Sequence, residues 1–182
     1  IGLNPLHALF PAAPDQASPY SPSSRDFVNI LYLDVEAVPD FLESKTVQAL
    51  VADPAFQARL AAVRAAEMVD YPVIAELLLP VLRALYDSFR KRHLAPDTER
   101  GQAFRAFQKA QGRPLANFAA FMALQEQFAA EDPDLLAWQK WPEPYRNPYT
   151  AAVRAFTDQH PEKVEFHAYL QWLADLQLAD VA

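Results

Sequence analysis

The 182 residues predict a mainly helical fold: a bundle-like helical unit with one or two short β-strands near the N-terminus. Three observations carry that expectation. Sixteen prolines stand against three glycines, so residues that open helices at their first turn are common and residues that tolerate positive φ are scarce. After Ser44, apolar residues recur at three- and four-residue spacing, the period of a helix with one buried face. Before that point, two short apolar runs flank a loop of Ser, Pro and Tyr, which predicts a strand, a stiff loop, and a second strand or turn.

The first run lies in the block Gly2-Leu3-Asn4-Pro5-Leu6-His7-Ala8-Leu9-Phe10-Pro11, with Asn4 and His7 at its end; the loop passes through Ser18-Pro19-Tyr20-Ser21-Pro22-Ser23-Ser24-Arg25; the second run lies in Asn29-Ile30-Leu31-Tyr32-Leu33-Asp34-Val35-Glu36. A first helix is expected from near Ser44 toward Ala52, and Asp53-Pro54 has the form of a cap and first position of the next, with Phe56, Leu60 and Val63 as its buried stripe. Val69-Asp70-Tyr71-Pro72 opens the most apolar helix, which Pro80 should kink or split. Asp97 or Thr98 starts another, carrying Phe104 and Phe107, and Gly112 should end it in the left-handed conformation. Pro114 restarts the chain, with Leu115, Phe118, Phe121, Met122 and Phe128 on its apolar side. Asp132-Pro133 and Asn147-Pro148 repeat the start signal, and Pro161 opens the last helix, with Phe166, Tyr169, Leu170, Leu173 and Leu176 as its stripe.

Composition narrows the function. At 20.5 kDa, with 52% hydrophobic and 21% charged residues, the chain has the makings of one ordinary core. A net charge of −7 and a pI near 5.0 argue against nucleic acid, and the basic run Arg90-Lys91-Arg92-His93 falls where a helix should end and complements its dipole. No cysteine is present, which suits a cytoplasmic location, and no segment is long and apolar enough to predict a signal peptide or membrane span. The chain begins at Ile1 rather than Met, which fits a piece of a longer protein and a processed start equally. His160, His167, Glu162 and Glu165 have no metal-ligand spacing, so neither a metal nor an organic cofactor is expected.

On the residues alone, Tyr20 is the first candidate for ligand contact. Its ring offers a flat apolar face, its hydroxyl a hydrogen bond, and Pro19 stiffens the backbone beside it; the competing role is to pack the loop onto the first helix. Ser18 either donates to a ligand or caps the turn. Asp34 and Glu36 should face solvent or cap rather than act as a catalytic pair. Trp138, Trp141, Tyr145 and Tyr149, interleaved with prolines, form either a sugar platform or a hydrophobic plug, and the plug is favoured.

Together the blocks Gly2-Leu3-Asn4-Pro5-Leu6-His7-Ala8-Leu9-Phe10-Pro11, Ser18-Pro19-Tyr20, Asn29 to Glu36, Val69-Asp70-Tyr71, Trp141 to Pro148 and Tyr169 to Gln177 resemble the bacterial amylomaltases. These are the 4-alpha-glucanotransferases of the alpha-amylase-like superfamily. The resemblance covers nearly the whole chain and is specific in the opening blocks. It implies a TIM-barrel enzyme from which this chain is excised: residues 1–36 as an early barrel strand and sugar-cleft loop, residues 37–182 as one helical insertion subdomain. It places the Ser18-Pro19-Tyr20 triplet at the cleft, and with it Ser21 and the strand-end residues Asn4 and His7 as substrate-binding positions, Asn4 by stitching the loop in place. The competing role of His7, a lone His beside apolar neighbours, is a packed and hydrogen-bonded one. The loop before the triplet is poorer in Gly than in the shorter amylomaltases.

The implied reaction is retaining transfer of alpha-1,4-glucan segments between maltooligosaccharides through a covalent intermediate, which needs two carboxyl groups about 5 Å apart. The resemblance puts those carboxylates outside this chain, so no catalytic residue is assigned, and the piece alone should be inactive. The expected partners are alpha-1,4-glucans, maltooligosaccharides and the remainder of the parent barrel, with no nucleic acid and no membrane. The alternatives are a stand-alone helical glucan-binding module and a helical protein-interaction domain. Strands lacking partners within the chain would argue against the stand-alone module.

Overall fold

A computed structural model describes residues 4–180. Two strands, β1 (His7–Ala8) and β2 (Ser24–Val28), precede seven helices: α1 (Pro39–Glu43), α2 (Lys45–Val51), α3 (Pro54–Ala65), α4 (Tyr71–Phe89), α5 (Glu99–Glu131), α6 (Ala151–Gln159) and α7 (Pro161–Asp180). The mainly helical expectation holds.

The strands pair with each other, antiparallel, with His7 opposite Val28 and Ala8 opposite Ser24. The second strand therefore lies before the second apolar run. That run becomes a 3-10 turn, Ile30–Tyr32, because the Asn29 side chain accepts from Leu31 N at 3.1 Å and bends the chain. Nor does the ribbon lack partners, since two glutamines of α7 act as its second neighbour. Gln171 accepts from Val28 N at 3.0 Å and donates to Val28 O at 2.9 Å. Gln177 does the same for Asp34, at 3.0 and 2.7 Å. A primary amide has the donor and acceptor of a peptide group, so each side chain satisfies a backbone as a strand would.

Several helix boundaries follow the expected caps. Ser44 accepts from Val47 N at the start of α2, Asp53 from Ala55 and Phe56 N, Asp70 from Val73 N and Thr98 from Gly101 N. The short α1 before Ser44 is unannounced by any periodicity. Phe56, Leu60 and Val63 form only a half-buried stripe, because α3 lies at the periphery. Pro80 does not split α4: the helix continues through it to Phe89, and both Pro80 and Glu76, four residues earlier, are exposed. The basic run after α4 is a widened π turn, Arg90–Leu94. Gly101 packs directly on that turn, where an added Cβ would stand 2.3 Å from the His93 carbonyl oxygen. Gly112 does take positive φ, but with φ 57° and ψ −136° it kinks α5 into two rods instead of forming a left-handed cap. Asn147 starts a turn by accepting from Tyr149 N, and α6 begins later, capped by Thr150.

The core is organised around α7. Residues 166–174 are buried without a break, on every face, so the predicted stripe describes part of this helix; Leu176 is partly exposed. The main cluster joins α7 to Leu82, Leu85 and Phe89 of α4, Val47 of α2, Phe104 of α5 and Ile30 and Leu33 of the turn. A second cluster surrounds Trp141, and a third joins Ala8 to Phe118 and Met122.

Several polar groups in this core are paired, although Asn29 Nδ2, Gln125 Oε1 and His167 Nε2 are buried with no hydrogen-bond partner among the described residues. Asp40, 1% exposed, receives Arg100 Nε at 2.7 Å and Nη2 at 2.6 Å, and the Tyr169 hydroxyl at 2.7 Å. Burial pushes the Tyr169 phenol well up, and the Asp40 charge adds to that; Arg100 keeps its proton more firmly than usual, because Asp40 outweighs the penalty of burial. The Arg100 guanidinium also lies 4.7 Å from the Trp172 ring centre. Glu126, paired with Arg83, has the His167 imidazole 3.4 Å away. Burial would favour the neutral acid, but His167 and Arg83 prevail and hold the carboxyl at about 2. Burial in turn holds His167 below its ordinary value against the pull of Glu126.

Three outcomes test this packing. Asp40→Ala strands a partly buried guanidinium and leaves the buried Tyr169 hydroxyl without its acceptor, and should cost about 2–3 kcal/mol in urea unfolding. Gln171→Met leaves the Val28 N–H and C=O unpaired, so it should cost about 1–3 kcal/mol and speed hydrogen exchange at Val28. Below pH 6.5 the unfolded state binds the His167 proton first, and below 4.5 the Glu126 proton, so stability should fall with pH in both ranges. His167→Leu should flatten the first of these declines while leaving the second.

Candidate functional site

The five residues singled out at the N-terminus come together. Ser21 N donates to Ser18 O at 3.1 Å, closing a turn whose tip is Pro19-Tyr20. The Tyr20 hydroxyl donates to Asn4 Oδ1 at 3.3 Å, and His7 Nδ1 lies 3.4 Å from the Pro19 carbonyl oxygen. The turn is thus tied at two points to the strand that precedes it. Tyr20 is 71% exposed, so it does not pack onto the first helix. Its ring is held by its hydroxyl with the face open. The Ser18 and Ser21 side chains are exposed, and among the described residues neither hydroxyl has a hydrogen-bond partner.

The loop reaches this position without glycine. Ala13 N donates to Phe10 O and Gln16 N to Ala13 O, giving two successive turns, and Ala13 is buried at their junction. Ser23 was missed at the sequence level although it pins the far side of the loop. Its backbone N–H and its hydroxyl both reach Ala8 O, and the hydroxyl also reaches Leu9 O at 2.8 Å. The only signal was a Ser-Ser pair after Pro22, which is common in loops of every kind. Beneath the ribbon, Phe27 stacks on Phe118 with ring centres 4.3 Å apart, which couples the site to α5.

The remaining candidates separate from it. Asp34 Oδ1 accepts from Glu36 N and Ala37 N, a cap, and Glu36 is exposed. Trp141 is 1% exposed, lies between Phe121 and Phe128, and donates its indole N–H to Leu135 O at 2.7 Å. Tyr145 meets Phe128 edge-on, so these two form a plug. Trp138 and Tyr149 stand outside it, exposed. Trp138 borders a cleft of about 490 Å³ between the ribbon and the plug, with Phe10, Asp26, Phe27 and Arg146 on its walls. His160 sits on Phe156, Glu162 pairs with Arg90 and Glu165 accepts from Tyr86, whereas His167 is in the core. Among the described residues no three potential ligands gather around a metal position, and no helix is long and apolar enough to cross a membrane.

Chemically, the N-terminal cluster offers an aromatic face, two free hydroxyls, an amide and an imidazole, and no carboxylate. It can bind a polyol and orient it; it has no nucleophile of the kind that glycoside chemistry uses.

Comparison with known proteins gives this geometry its setting. A family model described as 4-alpha-glucanotransferase matches residues 1–182. The 4-alpha-glucanotransferase of Haemophilus influenzae is 36% identical over 182 residues, covering 98% of this chain and 26% of that protein. That of Mycobacterium tuberculosis is 35% identical over 187 residues, covering 97% and 23%. The crystal structure of amylomaltase from Corynebacterium glutamicum superimposes with a TM-score of 0.69 at 27% identity, over 97% of this chain and 21% of that one. The chain spans about a quarter of the length of these relatives. Matched along its whole length in sequence and matched in fold, the chain belongs to the 4-alpha-glucanotransferase family.

Proposed function

We propose that these residues are part of a cytoplasmic enzyme that transfers alpha-1,4-glucan segments between maltooligosaccharides. In this reading Tyr20, Ser18 and Ser21 contact the glucan, Asn4 and His7 hold their loop, and the catalytic carboxylates lie elsewhere in the parent protein. Residues 1–36 then belong to the barrel's early strand and cleft loop, residues 37–182 to a helical insertion, and the isolated piece is inactive. The observation that carries the reading is Tyr20: an aromatic ring left open to solvent while its hydroxyl is held by Asn4. Single exposed aromatic rings are common on this chain, but a ring whose hydroxyl is tethered while its face stays open suits stacking on a pyranose.

One observation favours a second reading, a non-catalytic helical glucan-binding module. The ribbon pairs with itself and with Gln171, so the expected argument from partnerless strands falls away.

In the full-length parent enzyme, Tyr20→Ala should lower kcat/KM for maltooligosaccharide transfer about tenfold, a loss of about 1.4 kcal/mol. Tyr20→Phe keeps the ring and should retain most of it. An unchanged kcat/KM in Tyr20→Ala would remove the residue from the cleft. The module reading expects instead that maltoheptaose shifts the Trp138 indole in an NMR titration of the 182-residue chain and leaves the Ser18–Ser21 amides unmoved.

A further inference from the structure

The two contacts that tie Tyr20 and its turn to the preceding strand are both long. The hydrogen bond from the Tyr20 hydroxyl to Asn4 spans 3.3 Å between exposed side chains, and His7 Nδ1 stands 3.4 Å from the Pro19 carbonyl oxygen. Well-formed bonds of these kinds are about 0.5 Å shorter, and at an exposed site water competes for both groups. Such ties can choose the ring's orientation only on a loop that something else already holds.

The ladder of the ribbon is a poor source of that hold. β1 is two residues long, and between them the register slips, so that His7 lies opposite Val28 and Ala8 opposite Ser24. One step along β1 answers to four along β2, and a bulge of this kind interrupts the ladder's hydrogen bonds. Ser23 stands just before β2, at that point. Its N–H donates to Ala8 O at 2.8 Å, while its hydroxyl lies 2.9 Å from the same oxygen and 2.8 Å from Leu9 O. A single O–H thus bridges the last carbonyl of β1 and the first one beyond it, at ordinary hydrogen-bond lengths. Ala8 and Leu9 are 2% and 7% exposed, so water is a poor substitute for it there. The bridge closes the loop at its neck: Leu9 leads into the turns at Ala13 and Gln16, and Ser23 follows soon after Ser21, whose N–H closes the Tyr20 turn. Where the chain leaves β1 and where it returns are therefore fixed together.

We infer that Ser23 is a positioning residue for glucan transfer: by bridging the Ala8 and Leu9 carbonyls it holds the loop on which Asn4 can orient the Tyr20 ring, and so sets the affinity for the glucan without touching it. The inference rests on the reading of Tyr20 as a glucan contact.

The test uses the full-length parent enzyme with Ser23→Ala, Tyr20→Ala and the double variant. Ser23→Ala should raise KM for maltoheptaose about fivefold and change kcat less than about twofold, because the lost binding is shared by ground and transition states. Ser23→Thr keeps the hydroxyl and should restore KM. In the Tyr20→Ala background, Ser23→Ala should lower kcat/KM less than about twofold further, since the two residues act through one ring. Effects that multiply would overturn the inference and make Ser23 a contact of the 490 Å³ cleft it also borders. A fall in kcat at unchanged KM, or a Ser23→Thr enzyme no better than Ser23→Ala, would also overturn it. Hydrogen exchange in the same enzymes reports the loop irrespective of activity: the Ala13, Gln16 and Ser21 amides should exchange about tenfold faster in Ser23→Ala, with those of α7 unchanged. Unchanged exchange at the three amides would overturn the inference, as would acceleration that extends through α7 and so reports a general loss of stability. A loosened loop in Ser23→Ala, beside an intact kcat/KM in Tyr20→Ala, would overturn the reading of Tyr20 and support the bridge.

Discussion

A helix buried on every side has no solvent face for its polar side chains, and α7 is such a helix over residues 166–174. Within that stretch Tyr169, Gln171 and His167 each need something to bond or oppose, and the surrounding elements are arranged to provide it. Tyr169 finds Asp40, Gln171 finds the Val28 backbone, and His167 faces Glu126. Those partners come from α1, the ribbon and α5. The polar residues of one helix thus fix the placement of three other elements, while its apolar residues supply the adhesion.

The Tyr20 loop inherits its rigidity from this scheme at two removes. Tyr20 is held by Asn4 and His7 faces Pro19; the β1 backbone is held by β2 and Ser23; β2 and the following turn are held by Gln171 and Gln177. Each step uses hydrogen bonds whose direction is specified, which positions a backbone more closely than apolar contact does. A helical scaffold can in this way present a strand-and-loop site without a large sheet of its own.

Much of this was legible in the sequence. Caps at Ser44, Asp53 and Thr98 and the proline at the start of α7 set boundaries through local chemistry, and local chemistry is what a linear pattern records. The grouping of Tyr20, Ser18, Ser21, Asn4 and His7 was also legible, through resemblance. Gln171, Gln177 and Asp40 were not recognised, because a polar residue beside apolar ones has the same pattern whether it meets water or a buried backbone. Gly112 signalled positive φ correctly, but the choice between a cap and a kink depended on what followed, and Pro114 restarts a helix at once. Of the two outcomes expected at Pro80, the split does not occur: α4 continues through it, with Pro80 exposed, and exposure is a tertiary fact that a linear pattern does not record.

The glutamine clamps also set an order of events during synthesis. Val28 and Asp34 emerge from the ribosome before Gln171 and Gln177, which follow 143 positions later. At 5–20 residues per second that gap is about 7 to 30 s. Throughout it the hairpin can close on itself, yet one edge of β2 stays open and the turn after it unclamped. The nascent chain is therefore most exposed to mispairing at the ribbon that carries the Tyr20 loop, until α7 leaves the exit tunnel.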